Sequence, residues 1–406
     1  MSAFFLEWFH LVARWAHVIA AIMWVGDSFL FMWLDSHLEA PRKPREGTVV
    51  GELWMTHSGG FYEVVKRKSL GKDELPPTLH WFKWESYSTW ITGMLLVVIV
   101  YWAGGRAMML ETTSTLTQAQ AVLMSLGLLI VAVVVYDLVC RTPLIGNNRV
   151  FASLGLIVVV ALTFGLLQVF SPRAVFLQVG AMLGTIMASN VFFRIIPAQK
   201  HMLAATRAGT PVDTSYGARA KQRSVHNHYL SLPVLFLMLS NHFPTTFGHP
   251  QAWAVLGLLC VFGVGIKYTM NFRRRTHPVI LLGTGAALVV VIGLTAPRAS
   301  ANASANASAG SDAPAVPFSR VEVIMAARCV SCHAQKPSSP MFAAAPSGVM
   351  LDTPARIQAQ AERIRFRAVE TKTMPLGNMT GMTDEERALL GAWIAQGARL
   401  EEAATR

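Results

Sequence analysis

Eight apolar segments limit what this 406-residue chain can fold into. Each is long enough, or nearly so, to cross a hydrocarbon core of about 30 Å as a helix of ~20 residues. The segments lie at 10–34, 86–103, 119–140, 150–170, 174–196, 226–246, 252–271 and 278–296. The sixth is the weakest, because Pro233 interrupts it and Asn241 and Pro244 lie near its end. No strand periodicity accompanies them, so helices are the spanning element that a bilayer allows. The sequence predicts an all-α, eight-helix polytopic membrane domain over residues 1–296.

The distribution of charge supports a membrane protein. Charged residues make up only 14% of the chain, against about 25% in an average soluble domain. The net charge of +12 would suit a nucleic-acid partner, but the basic residues cluster in alternate short loops, which is typical of membrane topology. We therefore expect a lipid bilayer, and no nucleic acid, as a partner.

The basic residues also predict the orientation. Eighteen of them lie in alternate loops, namely Arg42, Lys43, Arg45, Lys66, Arg67, Lys68, Lys72, Lys83, Arg141, Arg149, Lys200, Arg207, Arg219, Lys221, Arg223, Arg273, Arg274 and Arg275. The intervening loops hold Arg106 and Arg173. By the positive-inside rule the basic loops face the cytoplasm, and both chain termini face outward.

A change of composition separates a second domain. Residues 297–316, PRASANASANASAGSDAPAV, form a low-complexity segment rich in Ala, Ser and Asn. A flexible coil of this length spans roughly 25 Å. The sequence predicts a flexible linker here and a compact soluble domain over residues 317–406.

That last domain carries the spacing Cys329-x-x-Cys332-His333. Two thiols one helical turn apart can each form a thioether to a haem vinyl group, and the following histidine presents imidazole to the iron. A zinc site would need a second ligand pair, and the domain has no other Cys or His. A thioredoxin-like motif would need a βαβ context. The motif predicts one covalent haem c in a class I cytochrome c-like domain.

The second axial iron ligand is expected later in this domain. Met374 is favoured, because Pro375 after it suits a fixed extended loop. Its rivals are Met379, Met382, Met341 and Met350. Ligation by His333 and Met374 would raise the haem potential and make the domain an electron acceptor. Thr383 and Glu386 then form a capping-box pattern that predicts a final helix.

Ionisable residues inside the first apolar segment indicate a further function. His10, Arg14, His17 and Trp24 lie on one face of the predicted helix. Such groups are costly in a bilayer and usually face a partner or a cavity. One interpretation is that Arg14 and His17 bond to neighbouring helices. The other is that His17 ligates a second haem, of b type, or lines a substrate cavity.

The predicted cytoplasmic ends of the second and sixth spans are also polar. LHWFKWESYSTW, residues 79–90, mixes aromatic side chains with Lys83 and Glu85, and SVHNHYLSLP contains His226, Asn227 and His228. Aromatic residues and lysine are common at any membrane interface. His226 and His228 point to different sides of a helix, so we do not expect them to share one ligand.

Together these motifs resemble the membrane-bound, cytochrome-c-linked urate oxidase (urate hydroxylase) family of bacterial purine catabolism. The resemblance rests on ARWAHVIAAIMWVGDSFLF in the first span, the eight-span layout, and GVMLDTP, CVSCH and TKTMPLGNMTGMTDEERALLGAWI in the tail. It implies oxidation of urate to 5-hydroxyisourate, with electrons passed to the fused cytochrome and then to a terminal oxidase or a soluble cytochrome. It also implies location in a bacterial inner membrane, with the cytochrome domain in the periplasm.

The resemblance gives a role to the polar residues at the cytoplasmic ends of the second and sixth spans, which we call the polar rim. The urate monoanion would meet a cationic rim that includes Lys83, and His226, His228 or Glu85 would act as general base. Urate oxidation releases two electrons and a haem c accepts one at a time. Either the two electrons leave one after the other through a radical intermediate, or a second redox centre, such as a haem b near His17, stores one. Two alternatives remain open: a non-enzymatic electron relay fed by quinol or a dehydrogenase, and a transporter with a redox domain.

Overall fold

The computed structural model describes residues 3–43, 48–111, 113–272, 277–296, 315–339, 341–342 and 344–400. It is 70% helix and 5% strand, which confirms a mostly helical fold. The helices of the first part are α1 (Ala3–His37), α2 (Trp84–Leu96), α3 (Arg106–Met109), α4 (Gln118–Val139), α5 (Asn148–Leu166), α6 (Pro172–Asn190), α7 (Ile196–Ala208), α8 (Ser215–Leu239), α9 (Pro244–Phe247), α10 (Ala252–Asn271) and α11 (Pro278–Thr295).

Two π-helical turns extend the long helices. Val97–Trp102 continues α2, and Val191–Ile195 joins α6 to α7. Short 3₁₀ turns lie at Lys72–Glu74, Pro143–Gly146 and Ser240–His242.

Each predicted span coincides with a helix, but not every one of these helices is long and apolar enough to cross a membrane. Among the described residues, six segments are long and apolar enough to cross a membrane: Trp8–His37, Gln118–Val139, Asn148–Leu166, Pro172–Ala208, Ala252–Asn271 and Pro278–Thr295. The helices α2 and α8 are not among them. The first half of α8 is polar, SYGARAKQRSVHNH. The structure is consistent with a membrane protein, and the count of eight spans stays a prediction.

The all-α prediction is wrong in the first long loop. Strands β1 (Val49–His57) and β2 (Gly60–Arg67) form an antiparallel hairpin there. The turn between them holds Ser58 at φ 50° and Gly59 at φ 79°. Positive φ at both central residues gives the backbone twist that a two-residue hairpin requires. The Ser-Gly pair between segments rich in Val, Trp and Tyr was the overlooked signal.

The loops lie alternately at the two ends of the helices, and the loops at each end contact one another. At one end, Thr206 Oγ1 donates to Leu70 O (3.3 Å) and Gln222 Nε2 donates to Ile145 O (3.2 Å). These contacts join the loops that carry the basic residues, and we call this the basic end. At the opposite end, Ser171 N donates to Met109 O (2.8 Å). Arg45 and Arg273–Arg275, four of the eighteen predicted basic loop residues, lie outside the described residues.

Helix α6 is the centre of the first part. Fourteen of its residues are buried, and it packs on α4, α8 and α2. Gly180 lets α8 approach closely, because a Cβ there would lie 3.0 Å from Leu237 Cβ. Helix α1, by contrast, lies at the side of the bundle and packs mainly on α2.

The C-terminal part has its own apolar core. Its helices are α12 (Phe318–Arg328), α13 (Pro354–Ala359), α14 (Ala361–Ile364), which a π-helical turn Arg365–Glu370 continues, and α15 (Asp384–Ala395). Short 3₁₀ turns lie at Pro346–Gly348 and Leu376–Asn378. Val321, Met325, Leu390 and Trp393 are almost fully buried in this core. The predicted capping box is present: Glu386 N donates to Thr383 Oγ1. Most of the predicted linker, residues 297–314, lies outside the described residues.

Candidate functional site

The end of α12 places the two cysteines and the histidine on one turn. Cys332 N and His333 N both donate to Cys329 O, at 3.2 and 2.9 Å. His333 Nδ1 donates to Val349 O (2.8 Å), since a carbonyl can only accept. The proton is thereby fixed on Nδ1, and Nε2 keeps its lone pair for a metal. Both thiols are free. This donor set fits a covalently attached haem.

The surrounding loops hold this turn in place. Gln335 N donates to Asp352 Oδ2 (2.7 Å), and Leu351 N donates to His333 O (2.6 Å). The Arg356 guanidinium and the Gln335 N–H lower the pKa of Asp352. Burial raises the pKa of the Cys329 thiol to about 12, so the free thiol is neutral at physiological pH.

The Met374 segment is also anchored. Met374 N donates to Arg367 O (3.0 Å), and Arg387 Nη1 donates to Met374 O (2.7 Å). Among the rivals, Met382 is 3% exposed in the domain core and Met379 is 44% exposed. Packing therefore accounts for Met382, and Met374 stays the predicted second ligand.

This same segment contacts the first part of the chain at the opposite end. Leu376 packs against the apolar core of the helices. Gly377, at φ 53°, lies against the Ala107 carbonyl so closely that a Cβ would overlap it. A Cβ on Gly248 would lie 3.0 Å from Thr371 Cβ. The structure thus shows contact between the C-terminal part and the helices, while the flexible linker stays a prediction.

The polar face of α1 packs on α2. His17 Nδ1 lies 3.1 Å from both Thr89 O and Thr92 Oγ1. Its ring fills the space beside Gly93, where a Cβ would lie 2.9 Å from His17 Cε1. Arg14 is exposed, and His10 Nε2 is buried without a hydrogen-bond partner. The structure shows the predicted bonding of His17 to a neighbouring helix. Because Nδ1 carries the proton towards Thr89, Nε2 also remains available to a haem iron, so the ligand role stays a prediction.

An ion cluster ties α4, α8 and the π turn after α6 together at the basic end. Asp137 accepts from Arg194 Nε (2.8 Å), Arg223 Nη2 (3.0 Å) and Arg141 Nη2 (2.6 Å). The Arg223 side chain is 9% exposed, whereas Arg141 is 61% exposed. One carboxylate thus holds three guanidinium groups, which leaves an excess of positive charge.

A chain of neutral hydrogen bonds continues from this cluster. Tyr136 Oη lies 2.8 Å from His226 Nδ1 and accepts from Asn190 Nδ2 (3.0 Å). Asn190 Nδ2 also donates to Asn227 Oδ1 (2.9 Å). The His226 ring stacks on Phe151 with centroids 4.6 Å apart. Sequence reasoning missed Tyr136, Asn190 and Asp137, although an aspartate at the end of an apolar segment is itself a signal.

A cleft opens beside His226. It has a volume of about 380 Å³ and is lined by Asn148, Ala218, Arg219, Lys221, Gln222, Val225 and His226. Two cations, two amides and an imidazole therefore meet at the surface of the basic end. Such a lining favours a small, polar, anionic molecule.

His228 faces the other side of α8, as its spacing from His226 predicted. Its Nε2 donates to Asn271 Oδ1 (2.9 Å) of α10, and its Nδ1 lies 3.3 Å from Ser28 Oγ of α1. Asn271 Nδ2 in turn donates to Tyr229 Oη (3.5 Å). His228 is 2% exposed, so this is an interior contact between three helices.

The two remaining predicted residues begin α2. Lys83 precedes the helix, with Nζ 6.0 Å from the centre of the Trp84 ring. Glu85 Oε2 is buried without a hydrogen-bond partner, and Asp27 of α1 lies within electrostatic range of it. The structure places neither residue in the clusters around His226 and His228.

The fold and these clusters define a helical protein of membrane type, with polar groups concentrated at its basic end. Residues 3–296 match the family model Urate oxidase N-terminal, and the chain belongs to this family. No curated protein and no solved structure matches the chain. The family match confirms the urate oxidase relationship predicted from the first span, the span layout and the tail motifs together. It ends before the Cys-x-x-Cys-His motif, so the link to a cytochrome stays a prediction.

Asp137→Asn should destabilise the protein, because it removes the negative charge that pairs with the buried Arg223. Breaking a buried pair typically costs about 3 kcal/mol. Unfolding of the purified protein by denaturant in detergent would measure the change. Arg141→Gln is the control, since an exposed pair contributes under about 1 kcal/mol. Equal effects of the two substitutions would contradict a stabilising role for the cluster.

Proposed function

We propose that this protein oxidises urate to 5-hydroxyisourate at a membrane and passes the electrons to a c-type haem in its own C-terminal part. One observation carries the proposal. A Urate oxidase N-terminal region is followed, in the same chain, by two free cysteines and a histidine whose Nδ1 is fixed by Val349 O.

The stoichiometry of urate oxidation determines what the site has to do. Urate and one water give 5-hydroxyisourate, two protons and two electrons. The protein must therefore bind a planar anion, accept protons from its ring nitrogens and admit water. The positive charge at the basic end would attract the anion, and the cleft beside His226 offers an entrance.

The general base is one of three predicted residues. His226 and His228 each form hydrogen bonds through a ring nitrogen, and a neutral imidazole keeps one ring nitrogen able to accept a proton. Glu85 has a buried carboxylate oxygen without a partner. Lys83 lies beside Trp84 at the surface and would contribute to the cationic rim.

Four residues of the C-terminal part would hold the haem: Cys329 and Cys332 through thioethers, His333 and Met374 as axial ligands. When bound, haem c supplies a one-electron acceptor of raised potential. The contact of Leu376 and Gly377 with the helices supports transfer inside the molecule, because it holds the Met374 segment against the first part.

The direction of transfer follows from the proposed topology. The basic end would face the cytoplasm of a bacterial cell and the docked C-terminal part would face the periplasm. Electrons would then leave to a terminal oxidase or a soluble cytochrome on the outer side. The two alternative functions, electron relay and transport, predict different responses to urate.

Anaerobic addition of urate to purified protein should reduce the haem c, seen as growth of its reduced α band. His333→Ala should abolish urate consumption coupled to respiration. Reduction by quinol but not by urate would instead identify an electron relay. Urate accumulation in vesicles that survives the His333 substitution would identify a transporter.

A pyridine haemochrome spectrum should show b-type as well as c-type haem. The reason is that two electrons leave urate while one haem c accepts a single electron, and His17 has a free Nε2 inside the helices. His17→Leu should remove the b-type signal and leave the c-type signal. A spectrum with c-type haem alone would exclude storage of an electron at His17.

Gly377→Ala should slow reduction of haem c by urate, because the new Cβ overlaps Ala107 and pushes the C-terminal part away. Reduction by ascorbate, which reaches the domain from solvent, should be unchanged. Gly397→Ala is the matched control: it also has positive φ (94°), but no atom of the first part lies near it. Equal slowing by both substitutions would show a general effect of backbone strain.

A further inference from the structure

Lys267 of α10 is a buried amine with no acceptor. Lys267 is 0% exposed, and its Nζ has no hydrogen-bond partner within the part of the chain that the structure describes. Burial of an unpaired ammonium is among the most costly arrangements a protein can contain. A lysine in this position therefore calls for an acceptor that the described part of the chain does not provide.

The surroundings of Lys267 are suited to a flat heterocycle. Nζ lies 2.7 Å from the centre of the Phe29 ring of α1. Asn271 lies one helical turn further along α10, on the same face, and bonds His228 of α8. An aromatic face, an amine, an amide and an imidazole thus converge where three helices meet.

We propose that Lys267 binds the substrate anion of the proposed function, with His228 as the proton acceptor and Phe29 as the apolar neighbour of the amine. Lys267 would donate from Nζ to a carbonyl oxygen or deprotonated nitrogen of urate. The inference rests on the proposed function and names the residues that bind its substrate.

The tautomer of His228 suits this role. Asn271 uses its amide N–H towards Tyr229, so Asn271 Oδ1 faces His228 and Nε2 must carry the proton. His228 Nδ1 then has a lone pair directed at Ser28 of α1. As urate loses two electrons and gains the water oxygen, one released proton would pass to Nδ1 and the other to solvent.

The side of α8 that carries His226 is the weaker candidate for the position that binds the substrate anion. Arg194 and Arg223 already pair with Asp137 there, and His226 is held by Tyr136 and Phe151. Those cations gain less from an anion than Lys267 would. The contact of α1 with α8 and α10 also lies near the basic end, and it is small compared with the contact of α1 with α2.

Lys267→Met is the decisive substitution, because methionine has similar length and belongs in an apolar interior. We expect the variant to unfold at the same temperature as the wild type or higher. Its affinity for radiolabelled urate, measured by anaerobic equilibrium dialysis, should fall about 10- to 100-fold, the usual size of a charged hydrogen bond. Reduction of haem c by ascorbate should be unchanged, and Lys267→Arg should recover part of the affinity.

Lys200→Met is the matched control. Lys200 of α7 is exposed and is not among the residues that line the cleft. Its loss should change urate affinity less than about twofold. Unchanged affinity in Lys267→Met, or a variant that no longer folds, would overturn the inference. Absence of urate binding and of urate-driven reduction in the wild type would overturn the proposed function instead.

Discussion

Polar groups that lie among apolar helices must find partners inside the protein, and this constraint organises the first part of the chain. Asp137 shows it most clearly: one carboxylate holds Arg141, Arg194 and Arg223 and so connects α4, α8 and the turn that follows α6. The pairs Asn190–Asn227 and Ser125–Gln178 fix neighbouring helices in the same way. Helix α6, buried along most of its length, is the element against which these partners are aligned.

The exceptions to this constraint carry the functional interpretation. Four buried side-chain atoms have no hydrogen-bond partner among the described residues: Lys267 Nζ, His10 Nε2, Glu85 Oε2 and Gln118 Oε1. The first three adjoin α1, lie on it or come from the helix packed on it, whereas Gln118 begins α4. The interface of α1 with its neighbours is therefore the place where the protein's own hydrogen bonding is least complete. It is the most suitable region for a substrate or a prosthetic group.

Hydropathy alone predicted the positions of the helices, because an apolar segment of sufficient length has few alternatives. The capping box at Thr383 was predictable because it is encoded within a few neighbouring residues. The hairpin at Val49–Arg67 was not recognised, although its Ser58-Gly59 turn is also local. Contacts between distant segments could not be predicted: Tyr136 meets His226 across 90 residues, and Gly377 meets Ala107 across most of the chain. Lys267 could have been noticed, since a lysine within an apolar segment is unusual.

The docking of the Met374 segment has a consequence for kinetics. The predicted flexible linker, residues 297–316, would keep the C-terminal part at a root-mean-square distance of roughly 25 Å from its anchor, which corresponds to an effective concentration in the millimolar range. At such a concentration even a weak contact at Ala107 and Gly377 would be occupied most of the time. The weaker that contact is, the faster the domain leaves it to meet an external acceptor. A small, glycine-dependent contact would therefore permit frequent exchange between the two positions, at a rate independent of how much of the protein the membrane contains.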